Sequence, residues 1–124
     1  MRSIVLAAFL AYAALAAAPA QAQDAADGEK IYKRLCSTCH IVAQEGPTRQ
    51  GPTLFGVVGR KAGSIEGFRY SEANKKSSLS WTPETLEKYL TDPRAVVPGT
   101  TMAFAGIRKP EERSALITYL QTLK

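Results

Sequence analysis

Cys36-Ser37-Thr38-Cys39-His40 sets two thiols three positions apart and an imidazole directly after the second. That pattern is the attachment signature of a c-type haem. Each thiol can form a thioether to one vinyl group, and two intervening residues let one helix end reach both. His40 is then carried under the iron as an axial ligand. The same residues admit other chemistry. A thioredoxin-like redox pair needs a strand leading into a helix, and none is readable here. A structural zinc site needs at least one more thiolate or imidazole, but the chain has only 2 Cys and 1 His. A plain disulfide stays open beside the haem reading and leaves His40 without a role.

A second axial ligand follows by elimination. His40 is the only imidazole, and both thiols are consumed by thioethers. Met1 belongs to a segment expected to be removed, so Met102 is the one thioether left. It lies in Pro98-Gly99-Thr100-Thr101-Met102-Ala103-Phe104, a turn-rich stretch able to wrap the haem face opposite His40. Ligation by a lysine, or an open sixth position, is the alternative. His/Met ligation would stabilise ferrous iron through the soft sulfur and leave no position for oxygen or substrate. One-electron transfer is the chemistry that remains.

Three helices are expected to position these groups. The first runs from Asp24 or Asp27 to Arg34 or Cys36, with Ile31 and Leu35 on one face and Tyr32 and Cys36 beside them. Thr82 as N-cap and Pro83 at the first position open the second, which carries Leu86, Tyr89 and Leu90 and is limited by Pro93. Pro110 opens the third, with Leu116, Tyr119, Leu120 and Leu123 at helical steps and Lys124 closing it. A shorter helix fits Ser71 to Lys76. From Ile41 to Phe68, glycine and proline recur too often for long regular elements, and no alternating strand pattern occurs. Short helices joined by long loops make a poor core unless the loops pack on a large buried group.

Length and composition agree with one small domain. The chain has 124 residues, 45% of them hydrophobic and 22% charged, which fits a folded protein and argues against disorder. Its start is set apart: Arg2 precedes an apolar run from Ile4 to Ala18, Pro19 breaks it, and Ala20-Gln21-Ala22 is a small-x-small cleavage site. Residues 1–22 therefore read as a cleavable secretory signal peptide and 23–124 as the mature domain. The apolar run is too short to span a bilayer, at about 1.5 Å per residue against a core of about 30 Å. An exported, soluble periplasmic protein is expected. Basic residues exceed acidic ones, 16 to 11, but they are scattered and form no run, so nucleic acid is not an expected partner.

From Gly28 to Leu120 the chain resembles the class I monohaem c-type cytochromes, the family of bacterial cytochrome c2 and mitochondrial cytochrome c. The matching segments are the Cys36–His40 motif, Gly51-Pro52-Thr53-Leu54, Gly59-Arg60-Lys61, Gly67-Phe68 and Tyr70-Ser71-Glu72-Ala73-Asn74-Lys75. Trp81, Glu84-Thr85-Leu86, Tyr89-Leu90, Pro98-Gly99-Thr100 and Met102-Ala103-Phe104-Ala105-Gly106-Ile107 follow in family order. The resemblance implies an all-α cytochrome c fold, three to five helices and long loops around one haem c held by two thioethers. It implies that Pro52 presents its carbonyl to the His40 ring N–H. Tyr70 and Trp81 would bond the haem propionates, with Arg60 offsetting their charge. Asn74, Tyr89 and Thr100 would form a polar network beside Met102, and Gly28 would let the first and last helices cross against Leu116 and Tyr119.

The family also implies redox protein partners. A diffusible monomer would take electrons from a quinol-oxidising cytochrome bc complex to a terminal oxidase or a photosynthetic reaction centre. Docking would use basic residues at the haem edge: Lys30, Arg49, Arg94, Arg108 and Lys109. Thr48 stands where mitochondrial proteins carry a His, and Leu35, Pro47, Ala95 and Thr101 stand at family lysine positions. A haem enzyme or gas sensor, with Met102 absent from the iron, is the competing class, and an absorption spectrum of the ferric protein separates the two.

Overall fold

The computed structural model describes residues 20–124. Most of the expected signal peptide, residues 1–19, lies outside them. The first helix, α1, spans Ala20–Leu35. It begins earlier than the acids at Asp24 and Asp27 implied, because the alanine-rich stretch before them continues a helix readily and holds no breaker. It therefore crosses the expected cleavage point after Ala22. Gly28, Ile31 and Tyr32 are its buried residues. Leu35 departs from the expected apolar face: it is 38% exposed, the one large hydrophobic side chain so exposed among the described residues.

The last helix, α5, has to be introduced with α1 because the two cross. In chain order α2 is Glu72–Lys76, α3 Pro83–Thr91, α4 Pro93–Val96 and α5 Pro110–Gln121. Helix α5 buries Ala115, Leu116, Ile117 and Leu120. Its backbone comes so close to α1 at Gly28 that a Cβ there would lie 2.0 Å from the Ala115 carbonyl oxygen and 2.7 Å from Tyr119 Cβ. Gly28 thus meets Ala115 and Tyr119 at the crossing. Tyr32 and Tyr119 stack across it with ring centroids 5.8 Å apart, and Arg34 reaches Glu112 at 3.1 Å.

Capping sets the remaining helices. Thr82 accepts from the Thr85 N–H at 3.2 Å, so α3 starts where the Thr-Pro pair predicts. Ser71 does the same for α2, accepting from the Asn74 N–H at 3.1 Å. Pro93 ends α3 as expected but also starts α4, because Asp92 turns the chain and its carboxylate accepts from the Ala95 N–H. Proline has no N–H to lose at a first helical position, so a stop signal can also serve as a start. Helices α4 and α5 both pack on α3.

No strand occurs among the described residues, only an isolated antiparallel bridge between Lys61 and Ser80. Around it, the Ala62 N–H donates to Leu79 O, Trp81 N–H to Arg60 O and Gly59 N–H to Trp81 O, each at 2.8 Å. The loops also supply core: Val57, Ala62, Trp81, Val97 and Ile107 are buried with the helical residues. The described residues are all-helical, with five helices and long connections, at the upper end of the expected count.

Candidate functional site

The loops and helices enclose one cavity whose lining brings distant parts of the sequence together. Cys36, Cys39, His40, Pro52, Arg60, Tyr70, Asn74, Trp81, Tyr89 and Met102 all border it. Thr100 does not. It stands behind Met102, where its hydroxyl accepts from the Met102 N–H at 3.3 Å and from the Asn74 amide at 3.4 Å. Leu54, Leu86, Leu90, Leu116, Leu120 and Phe68 supply apolar wall.

Cys36 and Cys39 emerge just after α1, where the chain turns: the Cys39 and His40 N–H groups donate to Cys36 O at 3.1 and 2.9 Å. No disulfide joins them. Burial, with the neighbouring Cys39 adding to it, pushes the Cys36 thiol up to about 11. A redox dithiol works through a lowered thiol pKa, so this environment is the wrong one for that alternative. Among the described residues no group of three or more His, Cys, Asp and Glu gathers to hold a metal ion, so the zinc alternative has no ligand set.

The His40 ring is held from two sides. Its Nδ1 lies 2.7 Å from the Pro52 carbonyl, which can only accept, so Nδ1 carries the proton and Nε2 keeps its lone pair. Burial lowers the His40 pKa, the Pro52 bond opposes this, and the Arg60 charge adds to the lowering. The ring is therefore a neutral imidazole with one donor nitrogen to offer. Gly51 packs on its other side: a Cβ there would fall 2.3 Å from Cε1 and 2.8 Å from Nε2. Gly51 belongs to the Gly-Pro pair that marked the loop, but its role against the ring shows only in the fold.

On the Met102 side, the Tyr89 hydroxyl donates to Met102 Sδ at 3.2 Å. Tyr89 is buried, and that burial raises its pKa against a smaller opposing effect of the Thr100 hydroxyl. It stays a neutral donor. Its ring packs on Trp81 with centroids 4.6 Å apart. Gly106, at φ +101°, carries the loop's end so close to α3 that a Cβ would lie 2.1 Å from Thr91 O, and the Ile107 N–H then bonds Leu90 O at 2.7 Å. These contacts tie the Met102 loop to α3.

Two of the three residues expected at the propionates, Arg60 and Tyr70, make other hydrogen bonds. Arg60 spans the 53–55 turn, donating to Thr53 O at 2.8 Å and Phe55 O at 3.0 Å. Tyr70 packs edge-on to Phe68, and its hydroxyl accepts from the Ile65 N–H at 3.1 Å. Arg60 nonetheless borders the cavity and puts a positive charge there, in a half-buried position that depresses its pKa by desolvation.

Two thiols at attachment spacing, a neutral imidazole with Nε2 unprotonated, a thioether, apolar walls and the cations Arg60 and Arg69 on the border are together the donor set a haem requires. The outer basic residues Lys30, Arg49, Arg94, Arg108 and Lys109 are all exposed. Arg49 also donates to Ser37 O, and Lys30 pairs with Asp27 at 3.1 Å. No helix among the described residues is long and apolar enough to cross a membrane.

Comparison with known proteins gives one consistent result. The sequence profile of the family described as Cytochrome c matches residues 25–124. Cytochrome c2 of Blastochloris viridis is 45% identical over 121 residues, covering 98% of this chain and 93% of that protein. Cytochrome c of Chlamydomonas reinhardtii is 48% identical over 104 residues, covering 84% and 93% respectively. Among solved structures, cytochrome cH from Methylobacterium extorquens superposes with a TM-score of 0.73 at 46% identity, covering 80% of this chain and 98% of that one.

Proposed function

The chain belongs to the cytochrome c family, and from that premise we propose that it carries single electrons through a haem ligated axially by His40 and Met102. Members of this family are electron carriers, not enzymes, and bind one covalent haem c; Cys36 and Cys39 fit its attachment motif. The bound haem supplies the Fe(II)/Fe(III) couple. The residues around it do the rest.

His40 and Met102 on the border of one cavity is the observation that carries the ligand assignment. Pro52 holds the imidazole with Nε2 unprotonated and makes it a better donor. Tyr89 orients the Met102 sulfur, and its hydroxyl draws electron density from it, which favours the reduced state. The apolar walls disfavour added charge and push the same way. Arg60, Tyr70 and Trp81 border the same cavity and would serve the propionates as cation and donors, with Asn74 and Thr100 on the polar side near Met102. With His40 and Met102 both holding the iron, substrate would have no access to the metal.

The donor is a quinol-oxidising cytochrome bc complex and the acceptor a terminal oxidase or photosynthetic reaction centre. Export by the residue 1–22 signal places the exchange in the periplasm. A monomer docks by its haem edge, with Arg49, Arg94, Arg108 and Lys109 steering. The absorption spectrum of the ferric protein tests the ligand pair. A weak far-red sulfur-to-iron band is expected; a high-spin spectrum would overturn the assignment and favour a haem enzyme or gas sensor.

A further inference from the structure

The proximal side holds a residue that the ligand set does not account for. Tyr32 is buried at 7% exposure on α1 and does not border the cavity. Its hydroxyl donates to the backbone carbonyl of His40 at 2.7 Å, eight residues on. Its own carbonyl accepts from the Cys36 N–H at 2.8 Å and the Ser37 N–H at 3.0 Å. One residue thus grips the attachment segment at both ends, through its main chain at Cys36 and its side chain at His40. Its ring in turn packs on Tyr119 of α5, so the grip is anchored in the helix crossing.

We infer that Tyr32 is a positioning residue for the proximal ligand, holding the backbone from which the His40 imidazole hangs. The inference rests on His40 being that ligand. The Pro52 bond orients the ring and the Gly51 contact limits its sideways travel, but neither grips the His40 main chain. A shift of the Cα carries Nε2 with it, and a ligand must be held to within about 0.5 Å to keep its geometry. The His40 N–H bonds Cys36 O, but that bond lies inside the attachment segment; among the described residues the Tyr32 hydroxyl is the group that ties the His40 carbonyl to α1. A phenylalanine at this position would fill the same space and pack on Tyr119 equally well, so the polar atom is the part that packing does not explain.

Tyr32→Phe in the haem-loaded protein tests this, with Tyr119→Phe as a control that removes a hydroxyl from the other ring of the pair. Two measurements are made on each: the iron-shifted His40 ring resonances of the ferric protein by NMR, and amide hydrogen exchange along the chain. In Tyr32→Phe the His40 resonances should move, and exchange at Cys39 and His40 should speed by about five- to tenfold, as expected for one lost hydrogen bond. Amides of α5 should keep their parental protection, and Tyr119→Phe should change neither reading. Unmoved His40 resonances would overturn the positioning role. A uniform loss of protection across α1 and α5 would do so too, since it marks a packing residue only. If the parent itself lacks iron-shifted His40 resonances, the axial assignment fails first and the inference with it.

Discussion

The Tyr89 hydroxyl meets the Met102 sulfur at 3.2 Å, joining the last turn of α3 to a loop that begins only after α4. This contact holds the one thioether of the described chain on the cavity border. If Met102 is an axial ligand, Met102→Ala should retain the covalent haem, because Cys36, Cys39 and His40 are untouched. It should lose the far-red band, and the reduction potential should fall by more than about 100 mV as a harder ligand replaces sulfur. A tenfold change in a one-electron equilibrium is about 59 mV, so such a fall would cripple electron acceptance. Spectra and potentiometry on the purified variant check it; an unchanged band would mean another group holds the iron.

Tyr89 also imposes a pH limit. Burial raises its pKa above the ordinary 10.0, so on alkalinisation the unfolded chain gives up its phenolic proton first. Stability is intact below about pH 10 and is lost as the pH climbs through the raised folded value. Denaturant midpoints measured across that range should fall less steeply in Tyr89→Phe than in the parent. Equal slopes would remove Tyr89 from the account.

Gly28→Ala should destabilise the fold despite a better helix former replacing glycine. The propensity gain is about 1 kcal/mol. Against it stands a Cβ 2.0 Å from the Ala115 carbonyl oxygen, a backbone atom that moves only if α5 moves. Overpacking of this kind costs about 1–3 kcal/mol, and relief by separating two helices adds to it. A drop of about 5–15 °C in the thermal midpoint is expected by calorimetry or circular dichroism. A midpoint at or above the parent's would show that the crossing is looser than drawn.

Without haem the chain should not keep its native fold. The loops contribute Val57, Ala62, Trp81, Val97 and Ile107 to the core, yet Leu54, Phe68 and Phe104 face the cavity border, where haem would cover them. The double variant Cys36→Ala with Cys39→Ala should be largely unfolded and open to proteases. A cooperative thermal transition in that haem-free product would contradict this.

Electron exchange with an acidic partner should slow as salt rises, because exposed charges are screened beyond about 8 Å at physiological ionic strength. Arg94 and Lys109 are exposed, and Arg94→Glu should lower the rate at low salt and flatten the dependence. Stopped-flow rates over a salt series measure it. A parental profile already flat would remove steering from the docking reading.

Much of this was legible in the chain itself because it is written in local chemistry. The Cys36–His40 spacing names the cofactor, and Thr82-Pro83 and Pro110 mark helix starts by the backbone groups they cap or lack. The scarcity of sulfur and imidazole left Met102 as the expected second ligand, and the fold brings it to the cavity that His40 also borders. Local rules failed where two signals share one residue. Pro93 reads as a stop, and only the turn at Asp92 reveals α4 beyond it. Leu35 fits the apolar face of α1 by spacing, yet α1 ends there and leaves it partly exposed at the border of the cavity.

The tertiary structure alone decided the contacts made by atoms that carry no pattern. Helical spacing explains why Tyr32 is buried, but its hydroxyl finds His40 only because the chain turns after Leu35. Gly51 belongs to a loop pair visible in the sequence, but the ring that needs its missing side chain comes from eleven residues earlier. Composition and periodicity report what a residue prefers within a turn or two. Which polar atom ends up against which depends on how five short helices are held around one cavity, and that is a property of the packed chain.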